Sequence, residues 1–174
     1  MQRNEALMAA KVKFKLPRSV WTAKDSARLA SDTLASIKLR TSKGIDANGD
    51  AFEEYSQEPI YISKRGARLK PKGGRESRTG KSVYYEGGYQ QYKHDSRRRS
   101  TLAGSADVDL VLSGNMMNNL VVKKATKRGF SIGLTSKAGY GYYVNVDREF
   151  LGLSDSDVEI LIEAVSIELR KKLT

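Results

Sequence analysis

The stretch that decides the fold is REFLGLSDSDVEILIEAVSIELRKKL, residues 148–173. Ser154 and Asp157 have the spacing of a capping box, and the acids at the start and basic residues at the end of the stretch suit a helix dipole. Apolar residues then recur on one helical face: Val158, Leu161, Ile162, Val165, Leu169 and Leu173. The pattern predicts an amphipathic helix over residues 155–172, with its acids on a solvated polar face. Phe150, Leu153, Leu161 and Val165 are the predicted core anchors.

Other elements are predicted on the N-terminal side of this helix. Thr22 and Asp25 form a second capping box before a helix over residues 23–39. Strands are predicted over residues 12–16, 121–126, 130–134 and 140–146, with a short helix over 114–120. The predicted fold class is α+β, in which a small antiparallel meander packs against the N-terminal and C-terminal helices.

The middle of the chain is strongly basic. From Lys64 to Arg99 there are twelve Lys or Arg against three acids, a local net charge of +9 in a chain of net charge +11. We find no trustworthy helical periodicity over residues 53–105. The prediction is therefore a single α+β domain over 1–174, with its core in 20–55 and 106–174. A long irregular basic arm, residues 56–105, is inserted in this core and is expected to order only on a partner.

The predicted contact residues of the arm are four tyrosines and three arginines: Tyr84, Tyr85, Tyr89, Tyr92, Arg97, Arg98 and Arg99. Tyrosine and arginine are enriched at protein interfaces, and they also stack on bases and bind phosphates. The sequence leaves both uses open, together with a plain solvated loop.

No catalytic constellation is visible in the sequence. The only histidine, His94, lies in the arm, and the chain has no cysteine. Asp46, Asn48 and Asp50 imitate a calcium loop, but the residues that should be glycine and glutamate are Ala51 and Gln57. We expect no enzyme activity, no cofactor and no metal site. No apolar run reaches the length of a membrane helix, so no membrane contact is expected.

The order of several segments resembles the phage virion morphogenesis or tail-completion proteins. GIDANGDAFEEYS, residues 44–56, is similar to that family's aspartate–glycine turn and Phe-x-x-Tyr-Ser run. Lys64-Arg65-Gly66 is similar to its basic stretch, and LVLSGNMMNNL, residues 110–120, resembles its Leu-Thr-Leu-Thr-Gly segment. REFLGLSDSD, residues 148–157, resembles its Arg-x-Phe-Leu-Gly-Leu-Ser signature.

The resemblance implies a non-enzymatic virion protein that is assembled in the host cytoplasm and lies at the head–tail junction or tail end. Its expected partners are copies of itself in a ring, such as a homo-hexamer, and adjoining connector, neck or tail-tube proteins. Packaged DNA in the channel is a further expected contact. The alternative is a nucleic-acid-binding module that contacts DNA through residues 64–99.

Overall fold

The computed structural model describes residues 10–13, 20–67, 69–97 and 108–173. The strands are β1 (Ala10–Lys13), β2 (Ile60–Ser63), β3 (Arg75–Glu76), β4 (Ser82–Tyr85), β5 (Leu120–Thr126) and β6 (Gly129–Leu134). The helices are α1 (Ala23–Ser42), α2 (Gly88–Ser96), α3 (Asn115–Asn118), α4 (Gly141–Asp147) and α5 (Asp155–Leu173), with a short 3-10 turn at Ser136–Ala138. Two antiparallel sheets have the strand orders β1-β6-β5 and β2-β4-β3. The predicted α+β class is confirmed.

The larger sheet is covered by α1. Thr22 Oγ1 accepts a hydrogen bond from Asp25 N at 3.3 Å, and Thr22 N donates to Asp25 Oδ2 at 2.8 Å, which closes the predicted capping box. Leu29, Ala30 and Ile37 on the inner face of α1 are fully buried, where the helix packs on β5 and β6. The helix predicted over 23–39 is confirmed and continues to residue 42.

Two of the predicted strands form the β5–β6 hairpin, in which Val122 is opposite Ile132 and Leu120 is opposite Leu134. The far edge of β6 pairs with β1, whose residues 10–13 lie slightly before the predicted strand; residues 14–16 lie outside the described part of the chain. Gly129 makes this pairing possible, since its φ is +141° and a Cβ there would lie 1.9 Å from Val12 O.

The strand predicted over residues 140–146 is wrong, because this segment is helix α4. The edge of β6 that a third meander strand would need is occupied by β1, which comes from the other end of the chain. Tyr142 still touches the sheet, since its hydroxyl donates to Leu134 O at 3.2 Å. The side chains of Tyr143 and Val146 are more than 70% exposed. The alternation of apolar residues over 140–146 therefore does not correspond to a strand with a buried face.

The prediction that residues 56–105 form an irregular arm is also wrong for the part that the structure describes. Residues 56–97 contain β2, β3, β4 and α2, and we call them the small-sheet unit. The unit has its own buried cluster of Val83, Tyr85 and Tyr92. Tyr85 and Tyr92 each donate a hydroxyl hydrogen bond of 2.7 Å, to Lys72 O and Leu69 O respectively. The two hydroxyls thereby supply hydrogen-bond donors to the carbonyls of an irregular segment. Composition does not reveal such tertiary contacts, and the segment therefore resembled a disordered chain.

Helix α5 begins as predicted and packs against α1. Ser154 Oγ accepts from Asp157 N at 3.2 Å, and Ser154 N donates to Asp157 Oδ2 at 3.0 Å. Of the four predicted anchors, Phe150 and Leu161 are buried, whereas Leu153 and Val165 are half-buried and pack against the same cluster. Among the described residues, no helix combines the length and the apolar character needed to cross a membrane.

Candidate interaction surfaces

The outer face of the small sheet carries a cross-strand row of Tyr61, Tyr84 and Arg75, which we call the aromatic row. In the strand register Tyr84 lies opposite Tyr61 on one side and opposite Arg75 on the other. The rings of Tyr61 and Tyr84 are 5.0 Å apart, and the Arg75 guanidinium lies 5.1 Å from the centre of the Tyr84 ring. The Tyr61 side chain is 65% exposed. The row therefore offers flat aromatic surface and a positive charge to solvent.

Four exposed cations lie beyond one end of the aromatic row, in the segment that follows β2 and in the turn between β3 and β4: Lys64, Arg65, Arg78 and Lys81. The segments are held together by a 2.9 Å hydrogen bond from Lys64 N to Lys81 O. Lys64 also forms an ion pair with Glu76, and both of these side chains are largely exposed. The aromatic row and these cations form one positively charged surface, the basic face, which attracts an anionic partner.

The four predicted tyrosines of the arm have different environments. Tyr84 lies in the aromatic row, whereas Tyr85 and Tyr92 are 0% and 3% exposed and cannot serve as surface contacts in this fold. Tyr89 is half-buried and packs edge-on against Tyr55 at 5.2 Å. Tyr61 is not among the four tyrosines predicted as contact residues; the alternation of Ile60, Tyr61 and Ile62 is the signal that could have placed it on an outer face.

Arg97 is likewise not a free contact residue. Together with Lys93 it forms an ion pair with Asp109, and all three side chains are less than 10% exposed. Burial raises the pKa of Asp109, but hydrogen bonds from Lys93, Val111 N and Arg97 outweigh this and hold that pKa below its usual value. Lys93 and Arg97, two cations of the basic segment, thus bind the C-terminal part of α2 to Asp109. Arg98 and Arg99 lie outside the described residues.

Tyr55 connects three parts of the chain at this junction. Its hydroxyl accepts hydrogen bonds from Lys93 Nζ at 2.8 Å and from Leu110 N at 3.2 Å. The Arg148 guanidinium lies 5.2 Å from the centre of its ring and donates to Glu53 O and Glu54 O. Burial raises the pKa of Tyr55, so that the phenol stays neutral. Beside it lies an apolar cavity of about 470 Å³, between the small-sheet unit and α4.

A second exposed surface lies on α5. Four apolar side chains of this helix are between 38% and 60% exposed: Val158, Ile160, Ile162 and Ile167. Asp155, Glu159 and Glu163 are exposed between two apolar flanks of the helix, since Val158 and Ile162 line a groove against β1 and Ile160 lies beside α1. We call these seven residues the α5 face.

Two other acids of α5 are buried, which corrects the prediction that the acids of this helix form only a solvated polar face. Asp157 pairs with Arg40 and Glu168 with Arg28, so both stabilise the packing of α5 on α1. Asp157 also accepts a hydrogen bond from the Ser36 hydroxyl. The sequence signal for this was the position of both acids on the same helical stripe as Leu161.

The Asp46 segment forms a turn rather than a metal loop. Asp46 Oδ1 accepts hydrogen bonds from Asn48 N at 2.8 Å and Asp50 N at 2.9 Å, as an aspartate does in an Asx turn. Within the described ranges, no cluster of three or more His, Cys, Asp or Glu could hold a metal ion. His94 is exposed and contacts the neighbouring Asp95.

Comparison with protein-family models, with curated proteins and with solved structures finds no match to this chain.

Proposed function

We propose that the protein is a structural, non-enzymatic component of a tailed-phage virion. It acts in tail completion or head–tail joining, and copies of it assemble as a ring. The observation that carries the proposal is the α5 face, on which four large apolar side chains are exposed along one helix. Single exposed apolar residues are ordinary, but a group of them on one element is typical of an interface between proteins.

The placement of the segments that resemble the phage family supports this proposal. Ala47 N, in the aspartate–glycine turn, donates to Glu149 O, in the Arg-x-Phe-Leu-Gly-Leu-Ser segment, at 2.7 Å. Tyr55 from the Phe-x-x-Tyr-Ser run contacts both Leu110 and Arg148. Segments far apart in sequence therefore meet at one junction, as expected if the resemblance reflects a common fold rather than separate chance matches.

Oligomer mass tests the proposal directly. The full chain, analysed by size-exclusion chromatography with light scattering over a range of concentrations, is expected to give a multimer that negative-stain microscopy shows as a ring. Ile160→Asp should dissociate it. Leu39→Asp is the matched control, because Leu39 on α1 is 58% exposed and Ile160 is 56% exposed. A wild-type protein that stays monomeric at all concentrations contradicts the proposal.

Location in the particle needs a separate measurement. Gold-labelled antibodies against the protein should bind at the head–tail junction or tail end of particles that contain it. Labelling confined to the capsid shell, or particles that join heads to tails normally when the gene is deleted, would refute the virion role.

The second candidate function is nucleic-acid binding, which the basic face favours, because stacked tyrosines beside cations are suited to bases and phosphates. Fluorescence anisotropy with labelled single-stranded and duplex DNA tests it. Binding through this face should weaken with salt, and Arg78→Ala with Lys81→Ala should reduce the logarithmic salt slope by roughly 0.7–0.9 for each phosphate that the variant no longer neutralises. Affinity that is unchanged in this variant rules out the basic face as the DNA site.

A further inference from the structure

We propose that the basic face of one copy docks on the α5 face of the next copy, so that the ring is built from a head-to-tail contact between two different surfaces. The proposal rests on the proposed self-assembly and adds which surfaces meet. The two faces lie on different parts of one chain, since α5 packs on α1 whereas the small sheet packs on α2. Both faces are exposed in the single chain.

The charge of α5 is the first argument. Between Asp155 and Leu169 the helix carries five acids and no lysine or arginine. The inward-facing acids, Asp157 and Glu168, are neutralised by arginines of α1. The three outward-facing acids form no ion pair with any residue that the structure describes. The α5 face therefore has a net negative charge in a protein that is otherwise strongly basic, and a positive surface can approach it.

The basic face has the complementary properties. Of these four cations, only Lys64 pairs with an acid within the described part of the chain, which leaves Arg65, Arg78 and Lys81 available to a partner. Beside the cations, the rings of Tyr61 and Tyr84 present apolar area. Cations next to exposed aromatic rings suit a partner that carries acids and aliphatic side chains together.

The dimensions of the two surfaces are compatible. Glu159 and Glu163 are four residues apart on a helix, which places their Cβ atoms about 6 Å from each other. The strands of the small sheet are spaced by about 4.8 Å, so a helix laid across them meets Tyr61, Tyr84 and Arg75 at a similar interval. Ile160 and Ile167 flank the acids on one side and are positioned to cover the tyrosine rings.

The charges also constrain the symmetry of the contact. A two-fold dimer centred on either face alone would place basic on basic or acidic on acidic, and the repulsion disfavours both arrangements. A contact between unlike surfaces that is made once, not reciprocally, leaves one free face at each end of every pair. Copies can then add in one direction until rotation closes a ring.

Charge reversal tests the proposal on the full chain. Glu159→Lys with Glu163→Lys, and separately Arg78→Glu with Lys81→Glu, should each lower the mass in light scattering to that of the 19.3 kDa monomer. The variant with all four reversals should recover the wild-type mass, because attraction is restored with opposite signs. Asp147→Lys with Glu149→Lys is the matched control, since these acids are exposed outside α5, and it should keep the multimer. Thermal unfolding by circular dichroism checks that each variant is folded.

The outcomes separate this interface from the proposed function. A wild-type multimer that both two-site reversals leave intact overturns the docking geometry while self-assembly stands. Failure of the four-site variant to recover the multimer also overturns it. A wild type that is monomeric at every concentration removes the proposed assembly and this interface together. If Arg78→Glu with Lys81→Glu keeps the multimer but loses binding to a labelled oligonucleotide, the basic face serves nucleic acid and the proposal is wrong.

Discussion

Replacing Asp157 by asparagine is the most informative test of how the last helix is held. Asp157 accepts a hydrogen bond from Ser154 N at 3.0 Å, which caps α5, and it also pairs with Arg40 from α1. The two side chains of the pair are 9% and 5% exposed. Asp157→Asn keeps the shape of the side chain and part of the capping contact, but it removes the charge that neutralises Arg40.

The expected loss follows from the burial of the pair. Removing one partner of a buried ion pair typically costs 3–5 kcal/mol, because the other charge is left uncompensated. Arg40 retains hydrogen bonds to Phe150 O at 3.0 Å and Gly152 O at 3.2 Å, so we expect about 3 kcal/mol. For a domain of this size the melting temperature should fall by about 6–12 °C.

The pH dependence provides a second measurement. Burial raises the pKa of Asp157, but hydrogen bonds from Ser36 and Ser154 and the charge of Arg40 hold that pKa below its usual value. A carboxyl whose pKa is lower in the folded state stabilises the fold above its unfolded pKa, near 3.9, and loses this contribution as the pH falls through the folded pKa. The difference in unfolding free energy between wild type and Asp157→Asn should therefore shrink below about pH 4.

Urea unfolding followed by circular dichroism, at pH 7 and at several acidic pH values, measures both effects. Asp147→Asn is the control, because an exposed acid should change stability by no more than about 0.5 kcal/mol. In a double-mutant cycle, Arg40→Met with Asp157→Asn should cost less than the sum of the single changes. A loss below about 1 kcal/mol at pH 7, with an unchanged acid profile, would show that the pair is solvated and does not hold α5 on α1.

The other predictions concern the two cores and one strand pair. Phe150→Ala should destabilise the protein by about 3–5 kcal/mol in thermal unfolding, since its side chain is fully buried; an unchanged melting temperature would place Phe150 at the surface. Tyr85→Ala should cost a similar amount and Tyr84→Ala less than about 1 kcal/mol, whereas equal effects would contradict the buried cluster of the small-sheet unit. Gly129→Ala should raise hydrogen exchange in β1 and β6, because its Cβ would meet Val12 O; unaltered protection there would refute the pairing.

Short-range patterns in the sequence were sufficient to locate the two long helices and the β5–β6 hairpin. The capping boxes at Thr22 and Ser154 act over three residues, and the apolar stripe of each helix repeats over one or two turns. A hairpin is also local, because its strands are neighbours in sequence. The α+β class followed from these elements alone.

Tertiary contacts decided the fold of residues 56–97, and they also decided that residues 141–147 form a helix rather than a strand. Tyr85 and Tyr92 look like surface residues of a basic arm until their hydroxyls meet the carbonyls of Lys72 and Leu69. The segment after β6 could not become a strand, because β1 had taken the edge of β6 from more than a hundred residues away. Such pairings have no signature in a short window of sequence.

The candidate surfaces were also only partly predictable from the sequence. The sequence by itself determined that positive charge is concentrated in the middle of the chain and negative charge in α5, since both follow from composition. Only the tertiary structure decided which charges remain exposed. It buries Lys93 and Arg97 against Asp109, and Asp157 against Arg40, while Arg78 and Glu163 stay exposed. The physical reason is that a buried charge needs a partner of opposite sign, and that partner is brought within reach only when the chain has folded.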